Sequence, residues 1–256
     1  MEYACQIWDD CSEGDSIRLE NFQLTAARII TGAKKGTSHQ SIYNETSWET
    51  LSERRKNTKL IHMHKIVNHN VPQYLSDLIP GKISECTNVN VRNKDNLRNV
   101  YCRTAKYSKS FIPSCIDLWN EIDSEITDIE NIDEFKKKIR KIHRNELYCY
   151  GPRKLNVIHA QLRMNCSNLN AHLKSLHVTD DPTCICGNSI EDCFHYFLEC
   201  PLYHNQRQRL NFAISDICNM NLDTLLFGND NLDLKDNQKI FDAVQEYIMS
   251  SERFST

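Results

Sequence analysis

The chain has 256 residues, of which 40% are hydrophobic and 25% charged, with a formal net charge of −3. That is an ordinary globular balance, and it excludes a low-complexity chain. It also excludes a protein that is basic along its whole length, so nucleic-acid binding must rest on local clusters of Lys and Arg. Seven Gly and six Pro leave little flexible linker. Met1 is followed by Glu2, Asp9 and Asp10 rather than by a basic stretch and an apolar core. No apolar run approaches the roughly 18 residues of a membrane helix. The expectation is a soluble, intracellular protein, nuclear or cytoplasmic, with no membrane partner. Twelve cysteines in such a compartment are not expected to pair as disulfides.

The periodicity predicts a mainly α chain. Leu19, Phe22, Ala26 and Ile29 share one helical face, and Gly32 and Gly36 end that helix. A short helix is predicted over 41–45. Another runs from about Ser52 to Asn68 and places Leu60, Met63, Ile66 and Val67 inward. These elements are expected to form one helical domain over 1–80. Residues 81–125 read as a polar linker with apolar anchors at Phe111, Ile112, Ile116, Leu118 and Trp119, and Pro113 suits a helix start there. A basic amphipathic helix is predicted over 126–148, with Ile132, Phe135, Ile139 and Ile142 on its inner face. Helices containing Leu155, Ile158 and Leu162, then Leu169, Leu173 and Leu176, lead into a zinc-knuckle region over 149–228. A C-terminal helix within 229–256 is capped at Asp236 and turns Ile240, Val244 and Tyr247 inward.

Most of the cysteines stand alone, which favours small buried hydrophobes. Residues 184–200 are different: Cys184, Cys186, His195 and Cys200 have the spacing C-x-C-x8-H-x4-C. Zinc takes four such ligands in a tetrahedron. Gly187 gives the tight turn its backbone freedom. Three thiolates and an imidazole leave no open position for water, so the expected role is structural rather than hydrolytic. Cys193 and His204 are the alternatives for a ligand. Five acids and no Lys or Arg lie between Thr179 and Cys200. Phosphate should be repelled there, and the knuckle core is expected to staple a module or dock on protein.

Basic residues cluster elsewhere. Residues 134–154 hold Lys136, Lys137, Lys138, Arg140, Lys141, Arg144, Arg153 and Lys154 against only Glu134 and Glu146. Such a face binds phosphate without regard to sequence, although a solvated helix face is the commoner fate of a charge run. A smaller set, Arg54, Arg55, Lys56 and Lys59, lies on the helix after Ser52.

Several short strings in order resemble the region after the palm in non-long-terminal-repeat retrotransposon reverse transcriptases of the jockey-like kind. They are Glu2-Tyr3-Ala4 with Trp8, Ala26-Ala27-Arg28-Ile29-Ile30-Thr31-Gly32, Trp48-Glu49-Thr50-Leu51-Ser52-Glu53-Arg54-Arg55, Ser110-Phe111-Ile112-Pro113, and Cys184-Ile185-Cys186-Gly187 through His195 to Cys200-Pro201. The resemblance covers nearly the whole chain. It implies a helical thumb-like bundle, an irregular linker and a small zinc-stapled C-terminal module.

It also implies duplex contacts at Arg54, Arg55 and Lys59 and partners that are RNA or DNA, together with the polymerase palm. Only eight residues precede Asp9, too few for a palm with its paired carboxylates, so no catalytic residue is expected and no enzymatic activity of this chain on its own. Lys136, Lys137, Lys138, Arg140, Lys141 and Arg144 complete the expected nucleic-acid surface. The rival expectation is a standalone zinc-stapled interaction module.

Overall fold

The computed structural model describes residues 3–86, 94–140 and 146–255. It is mainly α. Among the described residues the only β pairing is two isolated bridges. The longer helices are α1 (Glu13–Thr31), α2 (His39–Thr46), α3 (Leu51–Val67), α4 (Phe111–Asn120), α5 (Ile132–Ile139), α6 (Arg153–Arg163), α7 (Asn170–Ser175), α8 (His204–Ile214), α9 (Leu222–Phe227) and α10 (Leu234–Ser250). Several starts are set by side chains that accept orphan backbone N–H groups. Ser38 caps α2, Thr50 caps α3 at Glu53 in a Thr-x-x-Glu pattern, and Asp233, rather than Asp236, caps α10.

The chain forms two compact units, residues 1–23 with 49–143 and residues 24–48 with 144–256. This cuts across the helical domain expected over 1–80. Segment 24–48 groups with the C-terminal half because Glu45 on α2 pairs with Arg163 on α6.

The core of the first unit contains Leu60, Met63, Leu97, Cys115, Ile116, Trp119, Phe135 and Ile139. Buried His64 stacks on Phe135 at 4.4 Å. The stretch expected as a linker is therefore partly core. Asn120 clamps residue 97 from both sides, accepting from Leu97 N at 3.0 Å and donating to Leu97 O at 2.9 Å. The basic helix is shorter than expected. It runs only over Ile132–Ile139, because Arg140 already has an extended backbone (φ −80°, ψ 118°). Ile142, Lys141 and Arg144 lie outside the described residues.

In the second unit α10 is central, with Ile240, Val244, Tyr247 and Ile248 buried against Leu162, Leu210, Ile214 and Leu225. The α1 stripe departs from expectation. Leu24, Ala27 and Thr31 are buried, while Phe22 and Ile29 are about two-thirds exposed. The buried face is the one that leads into Gly32, where α6 comes close. Gly32 (φ +65°) lies so close to α6 that an added Cβ would sit 2.3 Å from Val157 Cγ1, and Gln161 donates to Gly32 O at 2.7 Å. A side chain at position 32 would hold α6 away.

His159 in α6 is fully buried. Its ring lies 4.7 Å from Phe241, and its Nε2 is 3.0 Å from the Leu225 carbonyl. Burial, reinforced by the Arg163 charge, lowers its pKa well below the usual histidine value. The folded ring stays neutral where the unfolded one takes a proton. Stability from this group is full above about pH 6.5 and falls as pH drops below it, by about 1.4 kcal/mol per unit. Urea unfolding followed from pH 7 to pH 5 should show that slope in the second unit. His159→Gln should flatten it. An unchanged slope in that variant would assign the acid sensitivity elsewhere.

Candidate metal centre

Two short arms bring the four predicted ligands together. The first is a tight knuckle. Thr183 and Ile190 form an antiparallel bridge. Cys184 N donates to Ser189 O at 2.9 Å, and Gly187 N donates to Cys184 O at 2.8 Å. Gly187 takes φ +78°, the left-handed region where other residues are strained. This closes the Cys-x-Cys pair, and Asn188 N–H points at Cys186 Sγ from 3.5 Å.

The second arm is a π-helical turn over His195–Glu199. Five residues on an α-helix, at about 100° each, would leave His195 and Cys200 some 140° apart. The wider turn, closed by Cys200 N donating to His195 O at 2.8 Å, brings them toward one side. Asp192 Oδ1 accepts from His195 N at 2.8 Å and fixes where the turn begins.

The ligand atoms of Cys184, Cys186, His195 and Cys200 all lie within 4.8 Å of one another. Cys184 Sγ is 3.6 Å from Cys200 Sγ, and Cys186 Sγ is 3.2 Å from His195 Nε2. A tetrahedral ion with bonds of about 2.0–2.3 Å separates its ligands by roughly 3.5–3.8 Å, so the cluster could hold one metal ion with small adjustment. The Asn188 N–H, aided by Cys184 and His195 against a cost of burial, draws the Cys186 thiol down to about 7. Burial pushes Cys184 up to about 12. With Nε2 facing the cluster, His195 Nδ1 is buried without a hydrogen-bond partner among the described residues, and Glu199 Oε2 lies 3.6 Å away. A small swing of Glu199 would complete the carboxylate contact that commonly orients a metal-bound imidazole.

The two alternative ligands are elsewhere. Cys193 is buried with Sγ directed at Leu162 O, 3.6 Å away, and His204 is exposed.

The knuckle packs into the core of the second unit. Tyr196 and Phe197 are fully buried, and the Tyr196 ring contacts Phe197, Tyr203, Tyr247 and Phe254 at centroid distances of 4.9–5.5 Å. Tyr247 OH donates to Tyr196 O at 2.5 Å. Two arginines that the spacing could not reveal tie the arms down. Arg207 donates to Phe197 O and Cys200 O. Arg253 donates to both carboxylate oxygens of buried Glu191 at 2.6 Å. The acids around the cluster thus have partly structural roles. Glu191 is neutralised by Arg253, Asp192 holds His195, and Asp181 accepts from Thr183 N at 2.8 Å.

The predicted nucleic-acid contacts divide. Lys137, Lys138 and Arg140 are exposed, and Lys136 pairs with Asp133 at 3.0 Å. Arg55 and Lys59 are buried and hold Asp9 between them. Arg55 Nε donates to Asp9 Oδ1 at 2.6 Å, and Lys59 Nζ donates to Oδ2 at 2.5 Å. Burial alone would raise the Asp9 pKa, but the two cations outweigh it and the carboxyl is lowered. Asp9 offsets one of the two buried charges, and neither side chain is presented to a duplex. Arg54 is half-buried and donates to Gln23 Oε1 at 3.2 Å.

Among the described residues no helix is long and apolar enough to cross a membrane. No protein-family model, curated protein or solved structure matches this chain.

Proposed function

We propose that this chain is a nucleic-acid-handling segment of a retrotransposon-type reverse transcriptase, held together by one structural zinc and without catalytic residues of its own. The reading rests on the motif order described above. The observation that carries it furthest is the closed Cys184, Cys186, His195, Cys200 cluster, whose donor set suits zinc and leaves no open position for a substrate. Polymerase chemistry would belong to a palm outside these residues, and this chain would contribute template, primer or target binding.

The binding expected is weak, indifferent to sequence and steeply salt-dependent, because phosphate neutralisation supplies it. Lys137 and Lys138 on α5 are exposed and carry the charge first expected to do so. Fluorescence anisotropy with RNA and DNA oligonucleotides tests the reading. Binding should weaken between about 50 and about 200 mM salt, and Lys137→Glu with Lys138→Glu should weaken it for every sequence. A wild-type chain that binds neither RNA nor DNA at the lower salt would refute the proposed function. Unchanged affinity in the double variant would mean only that α5 is a solvated face.

A further inference from the structure

Between Leu24 and Asn44, and again between Leu147 and Thr179, the sequence contains no Asp or Glu. It contains Arg28, Lys34, Lys35, Arg153, Lys154 and Lys174 there, besides Arg163, which is engaged by Glu45. Folding brings the two acid-free stretches together within the C-terminal unit. Arg153 Nη2 donates to Ile29 O at 3.1 Å, Gln161 Nε2 to Gly32 O at 2.7 Å, and Lys34 Nζ to Ser167 O at 3.2 Å. Arg28 stands one helical turn before Gly32, on the same side of α1. Burial, and after it the Lys34 charge, lowers the pKa of His172.

Beside this face lies an open cavity of about 430 Å³. Its lining combines apolar Val157, Ile158 and Phe254, the amide residues Gln161 and Asn168, and the exposed cations Arg153 and Lys154. Glu191, which accepts from Asn170 N at 2.9 Å, is already neutralised by Arg253, which also donates to Asn168 O at 3.0 Å.

We propose that this face binds single-stranded nucleic acid, with phosphates on Lys35, Arg153 and Lys154 and one base seated in the cavity. The proposal rests on the nucleic-acid reading above and assigns it a location in the second unit, separate from α5. Unpaired cations attract the backbone whatever its sequence. The apolar lining receives the face of an unstacked base. Gln161 Nε2 and Asn168 Oδ1 are engaged by Gly32 O and Lys34 Nζ, which leaves Gln161 Oε1 and Asn168 Nδ2 to meet the edge of the base. A duplex offers neither face nor edge in this way. An anionic membrane would be met by a protruding apolar wedge rather than by a concave, amide-lined pocket.

Lys35 and Lys154 are exposed, so they can be changed without disturbing the fold. Anisotropy with a fluorescent uridine-rich single-stranded RNA should show about tenfold weaker binding for Lys35→Glu with Lys154→Glu. Its log–log salt slope should be shallower by about 1.4, at about 0.7 per phosphate. Lys35→Gln with Lys154→Gln should lose less, and all forms should melt alike. The same RNA carrying 4-thiouridine should photocrosslink to peptides from 153–168 or the one containing Phe254. A wild type that binds RNA, with both double variants unaffected or crosslinks confined to α5, overturns this location while leaving the broader reading in place. A wild type that binds neither this RNA nor DNA, whether or not it binds phosphatidylserine vesicles, overturns both, and one that binds DNA but not this RNA overturns the location alone.

Discussion

Replacing Cys200 with Ser should release the metal and unfold the two arms between about residues 182 and 203. Structural zinc contributes about 10–16 kcal/mol in small finger peptides, which is comparable to the whole stability of a domain, about 5–15 kcal/mol. The second arm is anchored by Tyr196, Phe197 and the hydrogen bonds from Arg207, but the segment between Cys184 and Phe194 has little apolar burial to order its ligands. Ile185, Ile190 and Phe194 are all roughly half-exposed or more. What the arms do bury, Tyr196 and Phe197, packs on Tyr247 of α10, so the loss should spread to that helix. The core of Leu60, Met63, Trp119 and Phe135 contains none of the ligands and should keep its protection. Hydrogen exchange by residue would read this directly. Protection lost evenly over both units, or retained over 182–203, would show that the cluster does not staple this region.

Replacing Arg163 with Ala should destabilise the second unit by about 3–5 kcal/mol, because it strands a buried carboxylate. Arg163 donates from Nε and Nη2 to Glu45, the shortest contact being 2.6 Å, and from Nη1 to Leu226 O at 3.3 Å. Its guanidinium also lies over the Tyr148 ring at 4.3 Å. The side chains of Arg163 and Glu45 are 1% and 5% exposed, so water cannot replace the missing partner. Changing both, Arg163→Met with Glu45→Gln, removes the stranded charge and should recover much of the loss. The urea midpoint of the single and double variants measures it. A single variant within about 1 kcal/mol of wild type would mean that the pocket around Tyr148 admits water freely.

Much of the helical framework was legible because burial repeats with the helical period. α3, α4, α6 and α10 were foreseen from stripes such as Leu60, Met63 and Ile66 or Ile240, Val244 and Tyr247, which are buried. The cluster that could hold a metal was legible because metal chemistry fixes residue types at short spacing, and Cys193 and His204 do stand apart from it. What escaped depends on partners distant in sequence. Arg55 and Lys59 read as surface charge, since their counter-ion Asp9 lies 46 residues before Arg55. Arg253 and Glu191, 62 apart, share no local pattern. On α1 two apolar stripes compete, and the buried one, Leu24 with Ala27 rather than Phe22 with Ile29, is set by tertiary packing such as the close approach of α6 to Gly32. The supposed linker lacked a period, yet Asn120 binds it through its backbone, an interaction to which hydrophobic patterning is blind.

Elemental analysis of the purified chain tests the central claim most directly, with Cys193→Ser and Cys200→Ser measured beside it. One zinc per chain is expected in the wild type and in Cys193→Ser, whose sulfur faces Leu162 O rather than the cluster. Cys200→Ser should carry little or none, since it removes one of the four converging ligands. A wild-type chain free of zinc, or metal lost on changing Cys193 but kept on changing Cys200, would contradict the account.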